Sequence, residues 1–181
     1  MIIQHSNKIL RQKSAEVPAR EIGELKIQNI IKRMKEALIL NIKENKGGIA
    51  LAAPQIGYNL RIFIILKDVL KISEKTNHPA RTAAFKEFQE TAGRNEPQFF
   101  IFINPKIIKK SKKKQILEEG CLSVEGIFGK IKRPEKITVE AFDENGKKFQ
   151  MSGAKIMAEA IEHETDHLDG ILFIDKIMKN L

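Results

Sequence analysis

With 181 residues, of which 42% are hydrophobic, the chain is long enough for about one domain with its own apolar core. Its apolar runs are too short for a membrane-spanning helix, which needs roughly 20 residues. The single cysteine excludes an internal disulfide and favours a reducing compartment. The first residues also lack the apolar core of a secretory signal. We therefore predict one cytoplasmic domain over residues 1–181.

The formal net charge of +9 favours anionic partners such as RNA, without naming one. The densest basic run holds five lysines, Lys109, Lys110, Lys112, Lys113 and Lys114. Because the run lies between two apolar segments, we interpret it as a solvated turn. A dedicated contact with RNA or the ribosome is the alternative.

The first predicted helix covers residues 25–44, where apolar residues recur at the 3.6-residue period of one helical face. These residues are Ile27, Ile30, Ile31, Met34, Leu38 and Ile42. Residues 47–57 are rich in small side chains and contain Pro54. That composition predicts a tight loop that exposes its backbone.

The middle of the chain is predicted to form antiparallel strands. Residues 61–66 are a continuous β-branched and aromatic run that predicts a strand, whereas residues 76–98 show no clean period and predict a surface excursion. Further strands are expected at residues 99–103, 115–117, 136–142 and 147–151. The last two are joined as a hairpin across residues 143–146.

A last helix is predicted over residues 153–168, with Ser152 as its N-cap and Gly170 in the left-handed position that ends it. It carries an H-E-x-x-H pattern at residues 163–167. The elements together predict an α+β fold. Antiparallel β-sheets are expected to pack around this C-terminal metal-binding helix, with a further helix near the N-terminus.

The H-E-x-x-H pattern predicts part of a metal site. His163 and His167 are four residues apart, so they project from one face of the helix and can bind one ion. Glu164 then lies beside the open position of the ion, where it can act as general base. The alternative is an amphipathic surface helix with two exposed histidines.

A catalytic metal site usually has three protein ligands, so a third is required. We predict Cys121, which follows a predicted strand, although an isolated cysteine is more often a small core residue. A zincin protease would instead take its third ligand from beyond His167, where Asp169 and Asp175 are the acidic candidates.

Three separated segments resemble the three motifs of the peptide deformylases. Residues 48–55, GIALAAPQ, resemble G-x-G-L-A-A-x-Q, residues 119–123 match E-G-C-L-S, and residues 163–167 match H-E-x-D-H. Three departures stand beside these matches. Ala50 replaces a glycine and would be strained if the position needs a positive φ. Glu125 stands where proline is common, and Glu162 stands where glutamine is common.

The resemblance implies a metal-dependent amide hydrolase that removes the formyl group from the N-terminal formyl-methionine of newly made proteins, releasing formate. It implies one Fe²⁺ per chain, whereas intrinsic affinity favours Zn²⁺ for one thiolate and two imidazoles. Another divalent metal is expected to substitute. Nascent polypeptides are the expected partners, and a monomer is expected.

The resemblance also implies roles for residues outside the metal site. The Gln55 side chain and the Leu122 backbone N–H would hold the negative charge that develops on the formyl oxygen. Glu119 and Arg133 would form an ion pair that braces the cysteine loop. From sequence alone, Gln55 is also compatible with an ordinary polar loop, and the ion pair with a surface pair. The residues expected to wall the substrate site are Gly48, Ile49, Ala50 and Gly120.

Two other functions compete with deformylation. One is a zinc peptidase that uses H-E-x-x-H, and the other is a metal-stabilised RNA- or ribosome-binding protein without catalysis. The presence of Glu164 disfavours the second, because a structural site needs no general base and normally fills all four coordination positions with protein.

Overall fold

The computed structural model describes residues 1–44, 47–70 and 97–179. Within them are two α-helices, α1 at Leu25–Lys43 and α2 at Ile156–Leu168. The strands are β1 (Ala50–Ala52), β2 (Ile62–Leu66), β3 (Phe99–Lys110), β4 (Lys114–Cys121), β5 (Val124–Pro134), β6 (Lys136–Phe142) and β7 (Lys148–Ala154). The predicted α+β class is therefore confirmed.

The strands form two antiparallel sheets. Five strands pair in the order β1-β2-β3-β6-β7, and β4 pairs with β5. The predicted hairpin across residues 143–146 is confirmed, because β6 and β7 pair from Lys136↔Ala154 to Phe142↔Lys148. The predicted excursion at residues 76–98 lies outside the described residues, apart from its last two.

The five-stranded sheet lies between the two helices. All five residues of β2 are buried. Because successive strand residues point to opposite faces, Ile62 and Ile64 join the core under α1, whereas Phe63 and Ile65 pack with the apolar residues of α2. A strand that is buried on both faces requires a continuous apolar run rather than an alternating one.

The first predicted helix is confirmed and ends one residue early, at Lys43. All six of its predicted apolar residues are buried. Among the described residues, no helix combines the length and the hydropathy that are needed to span a bilayer.

The loop predicted at residues 47–57 contains more regular structure than expected. β1 pairs with β2 through Ala50↔Ile65 and Leu51↔Ile64, and a 3-10 helix follows at Ala53–Ile56. Pairing with a buried neighbour thus outweighs the weak local propensity of small residues. Ala50 does not have a positive φ, so the strain considered for it does not arise.

The prediction that α2 starts at residue 153 with Ser152 as its cap is wrong. Both residues belong to β7, where the Ser152 hydroxyl lies 2.9 Å from that of Thr138 on β6. The helix starts at Ile156 after Lys155, whose φ is 53°. Its end is as predicted, since Gly170 has a φ of 73°.

Two strands differ from the prediction. The strand predicted at 99–103 continues to Lys110, so the basic run forms the end of β3, a short turn and the start of β4. β5 was not predicted, because its middle residues are exposed and include Gly126 and Gly129, which obscure the period of a strand.

Candidate active site

The two histidines and the cysteine converge at the end of the β4–β5 sheet. α2 presents His163 and His167 on one face, and Cys121 is the last residue of β4. The Cys121 Sγ lies 3.2 Å from His167 Nε2, and one potential ligand atom from each of the three residues falls within 4.8 Å of the others. One ion can bridge such a spacing.

The surroundings of the histidines suit metal ligands. His163 Nδ1 is 3.1 Å from Glu119 Oε2, which leaves Nε2 for an ion. Burial lowers the pKa of His167 well below its ordinary value, so its imidazole is neutral, the form that binds metals. Burial opposes protonation of His163 too, but hydrogen bonds with Cys121 and Glu119 raise its pKa well above the ordinary value, so an ion would displace a proton when it binds this ring.

Two hydrogen-bond donors lie near the cysteine sulfur. The Ser123 backbone N–H donates to Cys121 Sγ at 3.4 Å, and Gln55 Nε2 lies 3.6 Å from the same atom. A thiolate is the form that binds metals and accepts hydrogen bonds. One thiolate with two imidazoles leaves one coordination position open, so the residues fit a catalytic zinc or ferrous ion.

The acidic candidates of the zincin hypothesis lie elsewhere. Asp169 accepts a hydrogen bond from Arg61 Nη1 at 2.7 Å, and Asp175 pairs with Arg11. Within the described ranges, Cys121 and the two histidines form the only converging group of three metal-ligand residues. The described part of the chain therefore offers that hypothesis no third ligand beyond His167.

Glu164 is buried on α2 beside His163, with 3% of its surface exposed. Its Oε2 has no hydrogen-bond partner among the described residues. Burial raises the pKa of Glu164 to about 7, although the charges of His163 and Arg133 act in the opposite direction. A carboxyl group with this pKa can both take and return a proton near neutral pH.

Gln55 is held in one orientation. Its Oε1 accepts the Ala52 backbone N–H at 2.8 Å, so its Nε2 must face the other way. There Nε2 donates to Ser123 Oγ at 3.1 Å, beside Cys121. Gln55 is 2% exposed, so its amide is a buried donor beside Cys121.

The Glu119–Arg133 ion pair is formed and buried. Arg133 Nε and Nη2 donate to the two Glu119 oxygens at 2.7 and 2.8 Å, and each side chain is 1% exposed. Burial would raise the pKa of Glu119, but hydrogen bonds from Arg133 and His163 lower it to about 2. The pair is therefore not a surface pair, and it contacts His163 directly.

A cavity of about 1150 Å³ opens beside these residues. The four predicted wall residues, Gly48, Ile49, Ala50 and Gly120, all line it. Gly48 has a φ of 101°, and a Cβ there would lie 2.7 Å from Leu122 Cδ1, so this position requires glycine. Further apolar lining comes from α1, β5 and α2: Ala37, Leu40, Ile127, Phe128, Ile156 and Ala160.

Sequence reasoning missed Ser123, Glu162 and Asp166 as parts of this region. Glu162 and Asp166 are four residues apart, so they share one side of α2, and both contact Arg133. The four-residue spacing is visible in the sequence, but only the fold shows that Arg133 lies against these two carboxylates.

The α+β fold and the converging Cys-His-His set have the architecture of a metal-dependent hydrolase. The family model described as Polypeptide deformylase matches residues 1–181. The chain belongs to the polypeptide deformylase family.

Individual relatives agree with this assignment. The chain is 35% identical to Peptide deformylase 2 of Clostridium acetobutylicum over 173 residues, which cover 94% of this chain and 90% of that protein. It is 34% identical to Peptide deformylase 1A, chloroplastic, of Solanum lycopersicum over 97% of this chain, but spans only 58% of the length of that relative.

Solved structures of deformylases share the fold. A peptide deformylase from Thermotoga maritima superposes with a TM-score of 0.73 at 28% identity, covering 99% of this chain and 97% of that one. One from Legionella pneumophila gives a TM-score of 0.74 at 29% identity, covering 98% and 85%.

Proposed function

We propose that residues 1–181 form a single catalytic domain that hydrolyses the formyl amide of N-terminal formyl-methionine on newly synthesised proteins and releases formate. The observation that carries the proposal is the convergence of Cys121, His163 and His167. Cys121 and His163 line a large cavity together with Glu164, a buried carboxyl. Family membership supplies the formyl group as the bond to be cleaved.

In this proposal the metal-ligand residues and Glu164 have separate chemical roles. Cys121, His163 and His167 would hold a divalent ion, which would supply Lewis-acid chemistry: a lower pKa for water and a more polarised carbonyl. Glu164 removes the proton from the attacking water, whose oxygen bonds to the formyl carbon. Glu164 then returns a proton to the leaving nitrogen as the carbon–nitrogen bond breaks, which leaves formate and a free amino terminus.

The negative charge that develops on the formyl oxygen needs donors that are already in place. Gln55 supplies one, because the bond from Ala52 N–H to Gln55 Oε1 directs Nε2 towards the Cys121 side of the cavity. The Leu122 backbone N–H is the second donor in this proposal. Fixed donors cost little reorganisation when the charge appears.

Gln55→Glu tests this role, because it keeps the acceptor for Ala52 N–H and removes the donor. We expect kcat on a formyl-methionyl peptide to fall by about 10²–10³-fold with metal content unchanged. Ser123→Ala is the matched control, since it removes only the hydroxyl that Gln55 contacts. An equal loss in that control would mean that Gln55 acts by bracing the loop.

For the metal we propose one Fe²⁺ per chain, with Zn²⁺ as a common substitute. The donor set is compatible with both ions. After chelation, formate release should return with Fe²⁺ added without oxygen. If only Zn²⁺ restored it, the iron assignment would be wrong while the hydrolase assignment stood.

The decisive experiment compares two peptides that differ only at the N-terminal cap. Formate release from a formyl-methionyl peptide should be fast, whereas the acetylated peptide should be cleaved at a far lower rate. The zinc peptidase alternative requires instead that a bond inside the peptide is cut and that both caps are tolerated. Cleavage products identified by mass spectrometry separate the two outcomes.

We also propose that the activity is in the cytoplasm, where nascent chains emerge, and that the positive surface charge expected from the net charge of +9 promotes contact with the ribosome. Each phosphate contact releases counterions, so cosedimentation with ribosomes should fall steeply as salt rises. Binding that ignores salt, or no binding at low salt, would contradict the contact and leave the catalytic proposal intact.

A further inference from the structure

Arg133 is shared by more carboxylates than one guanidinium can neutralise. Besides Glu119, it contacts Glu162 Oε2 at 3.4 Å and Asp166 Oδ2 at 2.5 Å through Nη1. The side chains of these four residues are at most 11% exposed. Three buried carboxylates against one cation would be strongly destabilising, because buried charge must be compensated.

Two partly exposed lysines supply the positive charge that Arg133 alone does not provide. Lys110 Nζ on β3 lies 2.6 Å from Glu162 Oε1, and Lys176 Nζ lies 2.7 Å from both Asp166 oxygens. With Arg133 they make three lysine or arginine cations for three carboxylates, besides the His163 ring against Glu119. Lys110 belongs to the basic run, so at least this lysine has an internal partner rather than only solvent.

This network reaches a proposed metal ligand. Glu119 Oε2 contacts both Arg133 Nη2, at 2.8 Å, and His163 Nδ1, at 3.1 Å. The orientation of the His163 ring therefore depends on Glu119, which depends on Arg133. Partners of this kind set both the orientation and the affinity of metal-ligating histidines.

We propose that Lys110 is a positioning residue for the metal site. It neutralises Glu162, so that Arg133 stays bonded to Glu119 and Glu119 holds His163 with Nε2 free for the ion. Without the Lys110 charge, Glu162 competes with Glu119 for the guanidinium, from which it is already only 3.4 Å away. The inference rests on the proposed metal-binding role of His163.

The test measures metal affinity directly. Metal-free protein is titrated with Zn²⁺ against a competing chelator, for wild type and for Lys110→Met. We expect the affinity of Lys110→Met to fall about tenfold, within the range typical of residues that support a metal ligand. Lys110→Arg should retain the affinity. Lys113→Met is the matched control, because Lys113 is exposed and pairs only with Glu135 among the described residues.

The double variant Lys110→Met/Glu162→Gln distinguishes charge compensation from general damage. Removing the carboxylate that needs Lys110 should return the affinity to near the wild-type value, a rescue that a purely structural role would not give. Unchanged affinity in Lys110→Met, or no rescue in the double variant, overturns the inference. A wild-type protein that binds no stoichiometric Zn²⁺ would instead overturn the proposed function, and this inference with it.

Discussion

Replacing Cys121 with alanine is expected to abolish stoichiometric metal binding. Three protein ligands are the usual minimum for a catalytic site, and the described residues offer no other His, Cys, Asp or Glu that converges with His163 and His167. Hydrolysis should be lost with the metal. Elemental analysis of the purified variant measures the effect without relying on activity, and His163→Ala and His167→Ala should behave in the same way.

Asp169→Asn and Asp175→Asn are the matched controls for this experiment. Both remove an acidic group close to His167 in sequence, but their carboxylates pair with Arg61 and Arg11 and lie outside the converging group. Both variants should therefore keep their metal. Full metal occupancy in Cys121→Ala, together with loss in either aspartate variant, would restore the zincin hypothesis.

The parts of the site that sequence could predict are those fixed by local spacing. His163 and His167 share a face because a helix has 3.6 residues per turn, and the continuous run at Ile62–Leu66 predicts a buried strand. Cys121 required a different argument, because no local period connects β4 with α2. Its place was inferred from ligand count and from the resemblance to the deformylases.

The parts that sequence could not predict depend on tertiary contacts. Ser152 is a good N-cap by type, but its hydroxyl meets Thr138 across two strands, and the helix begins only after the positive φ of Lys155. Arg133 and Glu162 are both charged, and charged side chains are predicted to lie on the surface because they are rarely buried unless paired. Their burial becomes favourable only because Lys110 and Glu119 arrive from separate strands.

Replacing Glu164 with glutamine is expected to lower the hydrolysis rate by about 10²–10⁴-fold while metal content stays near wild type. Glutamine keeps the size of the side chain and removes the base. The buried position and the pKa of about 7 make Glu164 the group best suited to exchange a proton in this cavity. Formate release under conditions where chemistry limits the rate is the measurement.

The same variant should make the metal-free protein more stable above about pH 5. The pKa of Glu164 is raised from 4.5 to about 7 in the folded state, so between these values the unfolded chain loses a proton that the folded chain retains. Wild type therefore loses stability as pH rises through this window, by on the order of 3 kcal/mol. Urea unfolding of chelated protein should show that Glu164→Gln avoids this loss.

Glu159→Gln is the matched control for both measurements, because Glu159 is a second buried carboxyl on α2 that lines the same cavity. It lies one helical turn before His163 and therefore on the same face of α2, but it is assigned no proton transfer, so its loss should reduce hydrolysis far less than the loss of Glu164. Equal losses in the two variants would indicate a general effect of cavity charge. Wild-type turnover in Glu164→Gln would show that another group removes the proton from water.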